Sequence, residues 1–285
     1  MMCGSTITQL EKMHTEPAPT RLQRTARFSI NPDGSTQGQN NFAGTPAVSG
    51  LARFYEMTLG VRGLPDGDTG YLIGIQDLDR IVRDHLVPII ARACRDEPTT
   101  DPGSLLPELW EAAAEQSPHP LSMIHWHLSP YYGVEMTAET RKAERVQIAQ
   151  QFEFAAAHRL HTPTLSDDQN EQFFGKCNNP SGHGHNYRIA PTISIPVDQL
   201  KGMNAQLAIQ DCVNRTLLDH LDHKFLNTDC AWFDQSRGGV IPSVEHIARV
   251  SYEQLAPNIE SLGHGMRLIR LQAWETEKTS AIYPG

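Results

Sequence analysis

The sequence predicts an α+β protein made of two tandem copies, each reading strand, strand, helix, helix, strand. Segments of similar pattern recur in the same order in both halves of the 285 residues. The first half runs FSINP, FYEMTLGV, GIQDLDRIVRDHLVPII and MIHWHLSPYYGVEM, and the second runs FEFAAAHRL, NYRIAPTISIPV, AIQDCVNRTLLDHLDHKFLN and MRLIRLQAWETEKTSAIY. Ile75-Gln76-Asp77 echoes Ile209-Gln210-Asp211, Asp84-His85 echoes Asp219-His220, and Gln39-Asn40-Asn41 echoes Cys177-Asn178-Asn179. Ordered recurrence of this kind is the mark of a duplicated unit, and the length suits two domains of roughly 100–150 residues each.

Residues 1–27 are polar and proline-containing and read as a tail. The first copy then spans 28–140. The charged run TAETRKAERV, 137–146, marks the boundary, and the second copy spans 146–285. In the second copy Phe152, Phe154, Ala156 and His158 fall on one face of a period-two strand. The β-branched run from Arg188 to Val197 is a second strand. Ile209, Val213, Leu217 and Leu221 lie at helical spacing within 208–221. Ser243, just after Pro242, is placed to cap a second helix beginning VEHIARV. The alternating stretch from Arg267 to Trp274 is a closing strand that delivers Glu275 at its end.

Composition narrows the function classes. A formal charge of −9 argues against non-specific nucleic-acid binding, while leaving room for a local basic pocket. The five cysteines are odd in number and widely spaced, which fits reduced thiols better than a disulfide framework. The N-terminus lacks a signal-peptide core, and nothing approaches the ~18 consecutive apolar residues of a membrane span. The expectation is a cytoplasmic protein with no membrane or nucleic-acid partner.

The chemistry concentrates in CNNPSGHGHNY, 177–187. In an extended strand His183 and His185 share a face, and Gly184 removes bulk on the other side. Two imidazoles so placed fit adjacent corners of a zinc tetrahedron, and His158, on the apolar face of another strand, is a candidate third. Three histidines and one open position make a catalytic zinc site. With Cys177 as a fourth ligand the same group would be a closed structural site, and spacing alone leaves both open.

FEFAAAHRL, SDDQNEQFFGKCNNPSGHGHNY, LDHKFLN and WETEKTSA together resemble the 6-pyruvoyl-tetrahydropterin synthase / 6-carboxytetrahydropterin synthase family, over residues 146–285. The resemblance implies the tunnelling fold (T-fold) for each copy, an antiparallel sheet with two helices on one face, and a homo-oligomer that closes its sheets into barrels. It implies Zn2+ on His158, His183 and His185, and Cys177 as the proton-transfer group working with Asp222 and His223. It implies Glu275 as the anchor of the pterin ring, with Ser243 as a further hydroxyl contact. The implied substrate is dihydroneopterin triphosphate, 7,8-dihydroneopterin triphosphate in full. The implied reaction is triphosphate loss to 6-pyruvoyl-tetrahydropterin, with 6-carboxy-tetrahydropterin formation or a non-catalytic zinc or pterin module as the alternatives. The five residues between Cys177 and His183 resemble the pyruvoyl-forming branch. Arg159, Lys176 and Lys224 are weaker candidates for triphosphate contact.

The first half lacks this equipment. Aligning Phe28 with Phe152 sets Gly34 against His158 and Gln39 against Cys177, and no His-x-His step remains there. His125 and His127 form such a pair in the last strand, away from the matching position, and read as structural or surface residues. The first half is expected to be a degenerate copy kept for architecture.

Overall fold

Alternation of apolar and polar residues sets the strands, and its faces are visible throughout the chain. The computed structural model describes residues 18–37 and 46–285. Its strands are β1 (Thr20–Ile30), β2 (Thr36–Gln37), β3 (Arg53–Gly63), β4 (Leu121–Ser129), β5 (Tyr132–Thr137), β6 (Arg145–Gln150), β7 (Phe152–His158), β8 (His183–Pro196), β9 (Lys224–Phe225), β10 (Arg267–Thr276) and β11 (Thr279–Tyr283). All belong to one sheet, in the order β11-β10-β8-β6-β5-β4-β3-β1-β2. β7 prolongs β6 along β8 in unbroken register, the break falling where Pro191 of β8 has no N–H to give.

One face of the sheet is apolar. Ala26 and Phe28 of β1, Met57 and Leu59 of β3, Ile124 of β4, Val134 of β5, Ile148 of β6 and Ile193 of β8 are all fully buried, in a single core. The helical runs over 75–96, 106–116, 205–221 and 244–261 supply the rest of that core through Leu78, Leu109, Ile209 and Ile247. Ile209, Val213, Leu217 and Leu221 are buried as the helical spacing requires, across a π-helical segment at Asn214–Leu218. The opposite face is polar, with an Arg27–Glu56 ion pair and a Thr25–Thr58 hydrogen bond.

Four expectations are corrected. The strand placed at Phe28 begins at Thr20, because Leu22, Arg24 and Ala26 already alternate with solvent-facing residues, so the polar N-terminal segment is shorter than 27 residues. The closing strand of each half is a hairpin, since Pro130-Tyr131 and Glu277-Lys278 turn the chain between β4 and β5 and between β10 and β11. The sheet is mixed rather than purely antiparallel, because β9 runs parallel to β7. The charged boundary is a short helix, Ala138–Lys142, started by a reciprocal Thr137–Thr140 capping box. Gln39-Asn40-Asn41 lies outside the described residues.

Ile148 and Ile193 face each other across the β6–β8 ladder, both fully buried, where the two halves of the sheet meet. Ile148→Ala is expected to cost about 2–5 kcal/mol in urea unfolding, by lost transfer energy and an uncollapsed cavity.

Candidate functional site

Strand pairing assembles the histidines. In the β7–β8 ladder His158 stands directly opposite His183, and Ala156 opposite His185, so the small alanine leaves the diagonal open for the His185 ring. Gly182 turns the chain into β8 at φ +71, where a Cβ would lie 2.7 Å from the Phe225 ring and 3.1 Å from the His158 carbonyl. The donor atoms of the three histidines lie within 4.8 Å of one another, the one metal-capable group found among the described residues. Cys177 is not a member of it.

The protonation pattern inside the cluster fits a cation. His158 is fully buried, and its Nδ1–H donates to the carbonyl of Pro242 at 2.7 Å. With its proton on Nδ1, the neutral ring turns the Nε2 lone pair inward, 3.1 Å from His183 Nε2 and 3.3 Å from a carboxylate oxygen of Glu275. His183 Nδ1 and His185 Nε2 are buried without hydrogen-bond partners among the described residues. Lone pairs and a carboxylate converging in a buried space are what a divalent cation satisfies, so these residues fit a zinc ion. Burial holds the His158 imidazole down to about 4, and burial also lowers His185. Both favour the neutral, ligating form at neutral pH.

Glu275 reaches the cluster from β10, on the buried face continued from Leu271 and Ala273, at a β-bulge where pairing with β11 shifts between Trp274 and Thr276. It lies 3.7 Å from His185 Nε2 as well. Tyr187 is the group the sequence reading passed over. Its hydroxyl is 3.2 Å from His158 Nδ1, and its fully buried ring stacks on Phe154. The period-two run His183, His185, Tyr187 was the signal.

Cys177 sits on a short 3-10 turn, half-buried, tied in place by its carbonyl accepting from Leu160 N at 2.8 Å. Burial, then the nearby Glu275 carboxylate, pushes its thiol up. Arg159 braces this turn: its Nε donates to the Asn178 carbonyl and side-chain oxygen, while Asn227 clamps the Arg159 backbone from both sides. Lys176 and Lys224 form no ion pair among the described residues.

Asp222 and His223 form their own pair, Nδ1 to Oδ2 at 2.9 Å. They dock on β7, where Asp222 Oδ1 accepts from Ala155 N and His223 N donates to the Ala155 carbonyl at 2.7 Å, which holds His223 at φ +56. The Ala155 N–H bond, first among the causes, draws the Asp222 carboxyl down. The structure brings this pair into no hydrogen bond with Cys177, and His223 is 83% exposed. Ser243 caps the helix Val244–Ser261, its Oγ accepting from His246 N. His125 and His127 lie on the polar face of β4, with His125 3.9 Å from Glu135. The four described cysteines are free, and no helix among the described residues is long and apolar enough to cross a membrane.

Residues 147–285 match the family model for 6-pyruvoyl tetrahydropterin synthase. A 6-pyruvoyl tetrahydrobiopterin synthase of Poecilia reticulata is 35% identical over 146 residues, which is 50% of this chain and 93% of that one. The Homo sapiens protein of the same name is 33% identical over 142 residues, covering 50% of this chain and 92% of that one. A solved structure, 6-pyruvoyl tetrahydropterin synthase of Caenorhabditis elegans, is 32% identical and covers 50% of this chain and 96% of that one, with a TM-score of 0.44.

The depressed His158 makes metal-free stability depend on pH. The unfolded ring titrates near 6.5 and the folded one near 4, so the unfolded chain binds more protons as pH falls between them. The contribution is whole above about pH 6.5 and is lost toward pH 4, by about 3 kcal/mol. Urea unfolding in chelator across this range is expected to show that slope, and His158→Gln is expected to flatten it.

Proposed function

The chain belongs to the 6-pyruvoyl tetrahydropterin synthase family through its second half, and we propose that it is a zinc-dependent lyase. On this reading it converts 7,8-dihydroneopterin triphosphate to 6-pyruvoyl-tetrahydropterin with loss of triphosphate. The observation that carries the reading is the inward lone pair of His158, met by His183, His185 and Glu275 in one buried pocket.

His158, His183 and His185 would hold the zinc, which would supply Lewis acidity toward the side-chain oxygens of the substrate. The Pro242 carbonyl holds the His158 tautomer, as an outer partner of a ligating histidine does. Glu275 accepts hydrogen bonds from the donor edge of the pterin and sets its register, with the Ser243 hydroxyl as a further contact. Cys177 Sγ carries the transferred proton. Because burial raises this thiol, it needs a base to become a thiolate, and His223 of a second copy of the chain, oriented by Asp222, is that base. The first hydroxyl carbon becomes a carbonyl as its two hydrogens pass to the C=N bond of the ring; loss of the proton on the second expels triphosphate with the C–O electron pair, and the resulting enol becomes a carbonyl beside a methyl group. No external oxidant enters the balance. Exclusion of Cys177 from the metal-capable group supports the thiol as proton carrier rather than ligand.

The exposed Asp222–His223 pair supports a homo-oligomer in which another copy completes the pocket. The outer edge of β11 and most of that of β1 have no partner strand among the described residues, and such edges are normally covered. We read the first half as a degenerate T-fold copy. Support comes from the long β1–β3 and β7–β8 ladders, the π-helical segments Ile81–Leu86 and Asn214–Leu218, and the closing hairpins, which follow in the same order.

Incubation of zinc-loaded protein with 7,8-dihydroneopterin triphosphate, with the product identified by mass spectrometry, is expected to yield the pyruvoyl compound. The carboxy compound would assign the other branch, and no turnover would remove the lyase reading. Cys177→Ala is expected to lower turnover at least ~100-fold while zinc stays near one per chain. Loss of zinc in that variant would make Cys177 a ligand.

A further inference from the structure

The β1–β3 ladder ends at the pair Ile30 and Arg53, as the β7–β8 ladder ends at His158 and His183. Arg53 therefore stands at the strand position of His183, and Tyr55 at that of His185. Where the second half has a histidine cluster, the first half has a cavity of about 610 Å³, walled by Ile30, Asn31, Arg53, Cys94 and Arg95 among others. A second cavity of about 210 Å³ shares Arg53 and Cys94 with it and is walled by Tyr55 and Trp126. Together they have the size of a small-molecule site.

Among the polar groups of these walls, Arg95 is paired with Asp96 while Arg53 is in no ion pair among the described residues. The Arg53 guanidinium is next to the Cys94 thiol and the Tyr55 hydroxyl. Among the described residues no carboxylate lies within ion-pair distance of it. Trp126 is 3% exposed, yet its indole N–H has no hydrogen-bond partner among the described residues. Burial pushes the Tyr55 hydroxyl up to about 12, so it keeps its proton. The two carboxylates that also line these cavities accept hydrogen bonds of their own, Asp33 from the Ser35 N–H and hydroxyl and Glu97 from the Thr100 hydroxyl. A guanidinium with no carboxylate partner can take an oxyanion in bidentate fashion. The Tyr55 and Trp126 rings, packed edge-to-face at 5.3 Å, offer an apolar wall beside it.

We propose that this cavity is a second binding site, for a small aromatic oxyanion whose carboxylate or phosphate lies on Arg53 and whose ring packs toward Tyr55 and Trp126. The first half then exchanges metal chemistry for ligand binding at the same place in its sheet.

The test uses the full chain with two probes, benzoate and phenyl phosphate. Calorimetric titration is paired with the rate of Cys94 alkylation by iodoacetamide, read by peptide mass spectrometry. At least one probe is expected to bind and to slow Cys94 alkylation severalfold. Which one binds tells a carboxylate site from a phosphate site. Arg53→Gln is expected to weaken binding at least tenfold, with melting temperature unchanged. Binding of neither probe, binding that survives Arg53→Gln, or Cys94 alkylation unaffected by saturating probe would overturn the site. None of these readouts depends on the lyase reaction, so their failure leaves the catalytic reading untouched.

Discussion

The hydrogen bond from His158 Nδ1 to the Pro242 carbonyl is the constraint on which the site depends. It fixes one tautomer of a fully buried ring and turns the other nitrogen inward. It also ties the end of β7 to the residue just ahead of the Ser243 cap, so the last helix and the histidine cluster are positioned by the same contact. A buried imidazole held in this way cannot satisfy its second nitrogen from solvent. The surroundings supply two more imidazoles and a carboxylate, and the sum of these groups is a demand for positive charge.

Around that point the fold is arranged to keep reactive groups close without letting them collapse onto one another. Cys177 is held through backbone contacts and through Arg159, which spends its guanidinium on Asn178. Asn227, in the short helix Leu226–Asp229 that follows β9, closes the other side by gripping the Arg159 backbone. The Asp222–His223 motif thus has two parts. One half docks on β7 through Ala155, and the other presents His223 outward, strained at positive φ and exposed. Backbone strain at such a position is stored where a site needs a particular orientation.

Much of the architecture was legible because it rests on periodicity. The alternation of Phe152, Phe154, Ala156 and His158, the helical spacing of Ile209 to Leu221, and the Ser243 cap all follow from local rules and all hold. The hairpin turns at Pro130-Tyr131 and Glu277-Lys278 were lost within runs that look continuous, since apolar residues continue on both sides. The start of β1 was hidden by arginines and threonines whose alternate partners face the polar side of the sheet. Tyr187 was visible as the third member of a period-two run, but its role required knowing that His158 lay across the ladder.

By itself the sequence determined which residue types carry chemistry and which face of each strand they occupy, because a period of two is a property of the backbone. It also carried the resemblance that named the three histidines. What only the tertiary structure decided is register and distance: that His158 pairs with His183, that Glu275 reaches the same pocket, that Asp222 and His223 pair with each other, and that Arg53 stands opposite Ile30 beside a cavity. These depend on pairing between segments far apart in the chain, and no local pattern encodes the ladder position at which two strands meet.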